Sequence, residues 1–138
     1  MLRKLVLVLL SSVIAGSLAG CATLGTSNDQ IISTITVVEA FTMIQENQGE
    51  LDFVILDVRT PSEFAAGHIE GALIIDFNGN FKAEIEKLDK AKRYLVYCRT
   101  SNRSGDAVYI MRDLGFQEVY DMDGGIVAWE AEGYPLVK

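Results

Sequence analysis

Histidine, cysteine and positive charge are all scarce in this chain. Its 138 residues include one histidine, His68, and two cysteines, Cys21 and Cys98, with 12 lysines and arginines against 19 aspartates and glutamates, a net charge of −7. A lone histidine excludes a metal site built from several imidazoles, and no other metal or cofactor signature is present. An acidic surface repels nucleic acid and anionic lipid headgroups, so neither is expected as a partner. A bilayer-spanning apolar run is missing too: Leu5 to Ile14 is nearly all apolar but too short to span comfortably as a permanent helix. The length suits one domain and leaves no room for two.

What is present begins with a processing signal. Met1-Leu-Arg-Lys4 is basic, the short apolar stretch follows, and Leu18-Ala-Gly-Cys21 places small residues before a cut site. That order describes a signal peptide over residues 1–20. Leu18-Ala-Gly-Cys21 also resembles the lipobox of bacterial lipoproteins. The resemblance implies lipid on Cys21, attachment to a membrane through acyl chains alone and, because Ala22 follows the cysteine, the outer membrane facing the periplasm. Cleavage would remove Arg3 and Lys4, leaving 10 basic against 19 acidic side chains, a net charge of −9. With Cys21 carrying lipid, no internal disulfide can form, and Cys98 is a lone thiol in an oxidising compartment. Residues 21–33 are small, polar and without period. They are expected to act as a flexible tether of about 20 Å reach, with the folded domain over residues 34–138.

From there strand and helix signals alternate. Thr36-Val-Val-Glu39 has capping-box spacing, followed by one apolar helical face of Val37, Ala40, Phe41 and Ile44. Phe53 to Asp57 is a short, continuous apolar strand. Thr60-Pro-Ser-Glu63 is a second cap, with Pro61 at the first helical position and Gly67 as the stop. A strand over Ala72–Ile75, a helix over Phe81–Leu88 and a strand over Tyr94–Tyr97 come next. A helix over Ser104–Leu114, a strand over Glu118–Tyr120 and a helix over Ile126–Glu132 complete the series. Continuous apolar strands separated by helices predict an α/β fold: a central, mainly parallel sheet with helices on both faces. Ligands bind beyond the carboxyl ends of such strands. Asp57, Asp76 and Cys98 each stand at such an end, which places Cys98 at the functional rim and outside the core.

Cys98 opens the segment Cys98-Arg-Thr-Ser-Asn-Arg-Ser104, which joins a strand to a helix. Short loops of this kind turn successive N–H groups toward an anion, and the following helix adds its positive end. Partial positive charge of this sort favours the thiolate, the nucleophilic form of cysteine. Arg99 and Arg103 are expected to divide two tasks, holding the loop or its ligand and gating the entrance; the sequence does not say which does which. Cysteine phosphatases place five residues between cysteine and arginine, and that spacing would put the arginine at position 104. Here position 104 is serine and the arginine comes one residue early. The shorter ring encloses a smaller anion, suited to a persulfide's terminal sulfur more than to a phosphoryl group.

Three motifs resemble the rhodanese family. The loop Cys98–Ser104 is similar to its active-site loop. Asp57-Val-Arg-Thr-Pro-Ser-Glu-Phe-Ala-Ala-Gly-His-Ile-Glu-Gly-Ala72 is similar to its upstream signature, and Gly124-Gly125, Trp129 and Gly133-Tyr-Pro135 to its C-terminal pattern. The resemblance covers about residues 34–136. It implies a single-domain rhodanese fold and a sulfurtransferase that carries sulfane sulfur as a Cys98 persulfide. Sulfur would pass from a small anion such as thiosulfate to a thiophilic acceptor, cyanide or a thiol. Arg99, Thr100, Ser101, Asn102, Arg103 and Ser104 would bind the substrate. Asp57, Arg59, Glu63 and His68 would support the site, Asp57 beside the active loop and Arg59 pairing with Glu63 or another acid. His68 and Trp129 are expected to pack rather than react. One departure is Ser101, where relatives often carry glycine: a positive φ would cost a serine about 1 kcal/mol or more. The competing readings are a non-catalytic sulfur carrier or partner-binding module on the same fold and, disfavoured by loop length, a cysteine phosphatase or arsenate reductase.

Overall fold

The computed structural model describes residues 29–138; the signal, Cys21 and most of the tether lie outside the described residues. Five strands and five helices alternate along them. They are β1 (Ile31–Ile35), α1 (Val37–Glu46), β2 (Phe53–Asp57), α2 (Pro61–Ala66), β3 (Leu73–Ile74), α3 (Phe81–Ile85), β4 (Arg93–Tyr97), α4 (Asn102–Asp113), β5 (Glu118–Met122) and α5 (Gly125–Ala131). The strands form one wholly parallel sheet in the order β1-β5-β4-β2-β3. The predicted α/β architecture is borne out.

The central strand β4 shows why its sequence is continuously apolar. Both faces of the sheet are covered, so Tyr94, Leu95, Val96 and Tyr97 are each at most 1% exposed. Successive side chains still alternate between faces. Tyr94, Val96 and Cys98 join a cluster with Phe81 and Ile85 of α3 and Ala107, Val108 and Met111 of α4. Leu95 and Tyr97 join Val37 and Ala40 of α1 and Ile126 and Trp129 of α5 on the other side. Trp129 is the anchor of that second layer, as expected. Its indole N–H donates to the Pro135 carbonyl at 3.0 Å, and Tyr134 stacks on Phe41 at 4.2 Å. The Gly133-Tyr-Pro135 segment is thereby folded back onto the core.

Both capping boxes form. Thr36 and Glu39 exchange backbone and side-chain hydrogen bonds at the start of α1, and Thr60 and Glu63 do so at the start of α2. Three expectations are corrected. Residues 31–33, assigned above to the tether, belong to the fold: β1 pairs along β5 from Ile31 opposite Glu118 to Ile35 opposite Met122. This edge strand is half-exposed and interrupted by Ser33 and Thr34, so it lacks the apolar run of the central strands. Cys98 does stand at the carboxyl end of β4, but it is only 1% exposed and packs within the α3/α4 cluster. The strand's period-2 alternation carries its side chain inward, so rim and core coincide there. Helix α4 also starts two residues earlier than its apolar stripe indicates, at Asn102. Among the described residues no helix is long and apolar enough to cross a membrane.

Candidate active site

The loop after β4 is shaped by where its carbonyls go. Cys98 O accepts from the Ile126 N–H at 2.9 Å and Arg99 O from the Val127 N–H at 3.2 Å, both at the start of α5. Ser101 O accepts from the Gly105 N–H at 2.8 Å and from the Ser104 hydroxyl at 3.2 Å. With these carbonyls occupied, the backbone N–H groups of Arg99 to Ser104 have no acceptor among the described residues. Helix α4, 12 residues long, begins in this loop without a side-chain cap, so its positive end adds to the same concavity. Successive free N–H groups beside a thiol form an anion cradle.

Ser101 holds the turn. It has φ 77°, in the left-handed region that would favour glycine at this position. Its hydroxyl donates to Met122 O at 3.2 Å and accepts from the Gly124 N–H at 2.7 Å, stitching the loop to the β5–α5 turn. A glycine would relax the backbone and lose both bonds. We expect Ser101→Gly to change stability by less than about 1 kcal/mol, the two effects opposing each other. Ser101→Ala, which keeps the strain and loses the bonds, should destabilise by about 1–3 kcal/mol. Urea unfolding of both variants measures the difference. Ser104 is buried with its hydroxyl engaged within the loop, whereas Arg99, Thr100 and Asn102 are exposed.

The glycine pair opening α5 is required by contact. A Cβ on Gly125, whose φ is 59°, would lie 2.5 Å from Arg99 O and 2.6 Å from Cys98 O. Only a residue without a side chain lets the α5 N-terminus approach the backbone of the cysteine loop this closely.

Two arginine–carboxylate pairs flank the loop, and of the acids open to Arg59 it takes the nearer in sequence. Arg59 pairs with Asp57 rather than Glu63: its Nε donates to both carboxylate oxygens at 3.0 Å and its Nη2 to Oδ2 at 2.7 Å. The same Nη2 donates to Gly67 O at 2.7 Å, and the guanidinium lies over the Tyr97 ring, 5.6 Å from its centroid. Burial pulls the Arg59 charge down, but hydrogen bonding and attraction from Asp57 outweigh it and hold the guanidinium above its ordinary value. The Asp57–Arg59 pair therefore fastens the end of β2 to the end of α2. Burial and the Asp57 charge push the Tyr97 phenol well up, so it remains neutral and accepts from the Ile69 N–H at 3.2 Å. His68 stacks on Phe64 with ring centroids 3.6 Å apart, donates through Nδ1 to Phe64 O at 3.0 Å and bridges to Val137. It packs, as expected.

Glu63 is instead the partner of Arg103. The guanidinium makes a bidentate pair with the two carboxylate oxygens, 2.8 Å on each arm. That hydrogen bonding, against some burial, lowers the Glu63 carboxyl from its ordinary 4.5 to about 2. Arg103 is held charged chiefly by Glu63, with lesser contributions from Cys98 and Asp76. Glu63 thus carries three tasks: it caps α2, it positions the last arginine of the loop, and it ties the upstream motif to the cysteine motif. Because its folded value lies below the unfolded one, its stabilisation is present above pH about 4.5 and is lost as pH falls toward 2. The stability advantage of the wild type over Glu63→Gln should shrink by about 1–2 kcal/mol across that window, allowing for partial exposure of the pair. Urea unfolding at a series of pH values checks this.

Asp121 went unnoticed in the sequence. It is the second-last residue of β5, behind α4, and is buried, and its Oδ1 has no hydrogen-bond partner among the described residues. Burial raises its carboxyl above the ordinary range. Its position at a strand's carboxyl end was the available signal, obscured because the strand was expected to stop at Tyr120. A cleft of about 220 Å³ opens beside the loop, bordered by Arg59, Glu63, Arg99, Val127 and Glu130.

The rhodanese-like domain pattern matches residues 41–132, which include the loop, both arginine pairs and the glycine turn. The chain belongs to the rhodanese family. A thiosulfate sulfurtransferase, GlpE of Pseudomonas putida, is 40% identical over 82 residues, 59% of this chain and 73% of that protein. An uncharacterized protein of Synechocystis is 33% identical over 85 residues, covering 62% of this chain; the match spans about half of that relative, 47% of its length. Among solved structures, a rhodanese-related protein from Thermoplasma volcanium superposes with a TM-score of 0.60 at 32% identity, covering 76% of this chain and 97% of that one.

Proposed function

We propose that the protein is a sulfurtransferase that moves sulfane sulfur from a donor such as thiosulfate to a thiophilic acceptor through a persulfide on Cys98. The observation that carries this reading is the loop itself: a cysteine followed by N–H groups without acceptors, at an uncapped helix start, with Arg103 clamped beside it by Glu63. The Cys98 thiolate attacks the outer sulfur of thiosulfate. The sulfur–sulfur bond to sulfite breaks, and sulfite departs with the electron pair. The terminal sulfur of the persulfide is then the anion that the N–H groups stabilise. The acceptor attacks that outer sulfur and Cys98 leaves as thiolate; with cyanide the product is thiocyanate. Mass spectrometry after thiosulfate treatment tests the first half-reaction: the peptide containing Cys98 should gain one sulfur atom, removable by cyanide. A protein that gains none is a binding module on this fold, and steady hydrolysis of an aryl phosphate would move it to the phosphatase class.

The working location in this reading is a membrane surface facing the periplasm, reached through lipid on Cys21, with the tether residues between lipid and fold. The support is the ordered signal before Cys21. Wild-type protein should sediment with membranes, and Cys21→Ser should remain unprocessed or be released. Soluble, unlipidated wild-type protein in the periplasm would overturn this assignment.

A further inference from the structure

Four charged side chains border the cleft beside the cysteine loop: Arg59, Glu63, Arg99 and Glu130. Two are neutralised inside the fold, Arg59 by Asp57 at 2.7 Å and Glu63 by Arg103 at 2.8 Å. Arg99 and Glu130 make no ion pair with any described residue, and both are exposed. Their placement is not independent. The Arg99 carbonyl accepts the Val127 N–H at 3.2 Å, so the residue next to the nucleophile is fastened to α5. Glu130 follows Val127 by three positions and Ile126 by four on that helix, which puts all three on one side. The same cleft is also bordered by the apolar side chains of Ile126, Val127 and Leu136. Its volume of about 220 Å³ is below the roughly 300–1,000 Å³ of pockets for drug-sized ligands, so it suits a small molecule.

A simple anion at this cleft meets Arg99 but is repelled by Glu130, and a simple cation meets the reverse. A molecule carrying both charges on a short apolar body satisfies each. We infer that this cleft receives the sulfur acceptor, and that the acceptor is a small thiol bearing both a carboxylate, held by Arg99, and an ammonium group, held by Glu130. The assignment rests on the sulfurtransferase reading above and adds the acceptor's chemical class. Its thiolate attacks the outer sulfur of the Cys98 persulfide, the new sulfur–sulfur bond forms on the acceptor, and Cys98 departs as thiolate with the electron pair. The acceptor leaves as a persulfide, and no oxidant or reductant is consumed.

The test loads the purified protein with thiosulfate and measures single-turnover sulfur loss to three thiols, with rates normalised to thiolate concentration. L-cysteine carries both charges, 3-mercaptopropionate lacks the ammonium and cysteamine lacks the carboxylate. Cysteine should be faster than each of the others by about fivefold, the size of one partly exposed ion pair. Glu130→Gln should bring the cysteine to 3-mercaptopropionate ratio near one, and Arg99→Gln should do so for cysteine to cysteamine. Wild-type ratios near one, or ratios that survive both substitutions, would overturn the inference. A second arm does not need sulfur transfer. S-methyl-L-cysteine, which cannot accept sulfur at its thioether, should shift the amide resonances of Arg99, Val127 and Glu130, while 3-(methylthio)propionate should shift them less at equal concentration. Binding there without any persulfide on Cys98 would leave the cleft assignment standing and remove the sulfurtransferase reading. Persulfide formation without binding or rate preference would do the opposite.

Discussion

Cys98→Ser is expected to abolish thiosulfate:cyanide sulfur transfer, lowering turnover by at least about a thousandfold, as loss of a covalent nucleophile does. The cradle of N–H groups remains in this variant, and Arg103 stays clamped by Glu63, because neither depends on the sulfur atom. What is lost is a soft nucleophile that can carry a second sulfur. A serine hydroxyl is not ionised at neutral pH and has no persulfide counterpart. The fold should survive: exchanging sulfur for oxygen at a buried position costs about 1–3 kcal/mol, and the surrounding cluster of α3, α4 and β4 is otherwise unchanged. Assay, persulfide mass and a thermal melt should therefore separate, with the first two lost and the third still cooperative at a lower midpoint. Turnover in Cys98→Ser comparable to wild type would place the chemistry elsewhere in the molecule.

Gly125→Ala should injure both stability and activity. The added Cβ would stand 2.5 Å from Arg99 O and 2.6 Å from Cys98 O, and both obstacles are backbone, not a side-chain end that can rotate away. The φ of 59° adds the usual left-handed penalty. Relief requires α5 to retreat or the cysteine loop to shift, and either breaks the Ile126 and Val127 hydrogen bonds that hold the loop carbonyls outward. We expect a loss of about 3–5 kcal/mol in stability and about a hundredfold in turnover of the surviving folded fraction. Gly133→Ala is the control. Gly133 has φ 77° with nothing within 4 Å of its would-be Cβ, so it should cost only about 1–2 kcal/mol and leave turnover intact. Equal effects of the two substitutions would show that the close approach at Gly125 is immaterial.

These two residues differ in how local their signals are. Cys98 was legible because its signal is local: an apolar strand, then a cysteine, then small and polar residues before a helix. The capping boxes at Thr36 and Thr60 were legible for the same reason, since donor and acceptor lie three positions apart. Gly125 appeared only as half of a motif. Its necessity arises from the carbonyls of Cys98 and Arg99, which the β4–β5 pairing and the turn after β5 bring against it.

The amino-acid sequence by itself determined the α/β class, the buried central strands and the six-residue spacing from Cys98 to Arg103. Apolar periodicity, cap chemistry and loop length are all properties of neighbouring residues. Tertiary structure alone decided which carboxylate each arginine takes. Asp57 and Glu63 both lie within a few positions of Arg59, so sequence distance alone does not decide between them. The parallel register sets Asp57 opposite Tyr97 and so brings the start of α2 beside the start of α4, where Arg103 meets Glu63 across 40 residues of chain. Tertiary pairing likewise drew Ile31 to Ser33 into the sheet, because an edge strand is held by backbone hydrogen bonds to β5 and needs no apolar run of its own. Charge pairing and edge pairing depend on distances through space, and those distances follow from strand order.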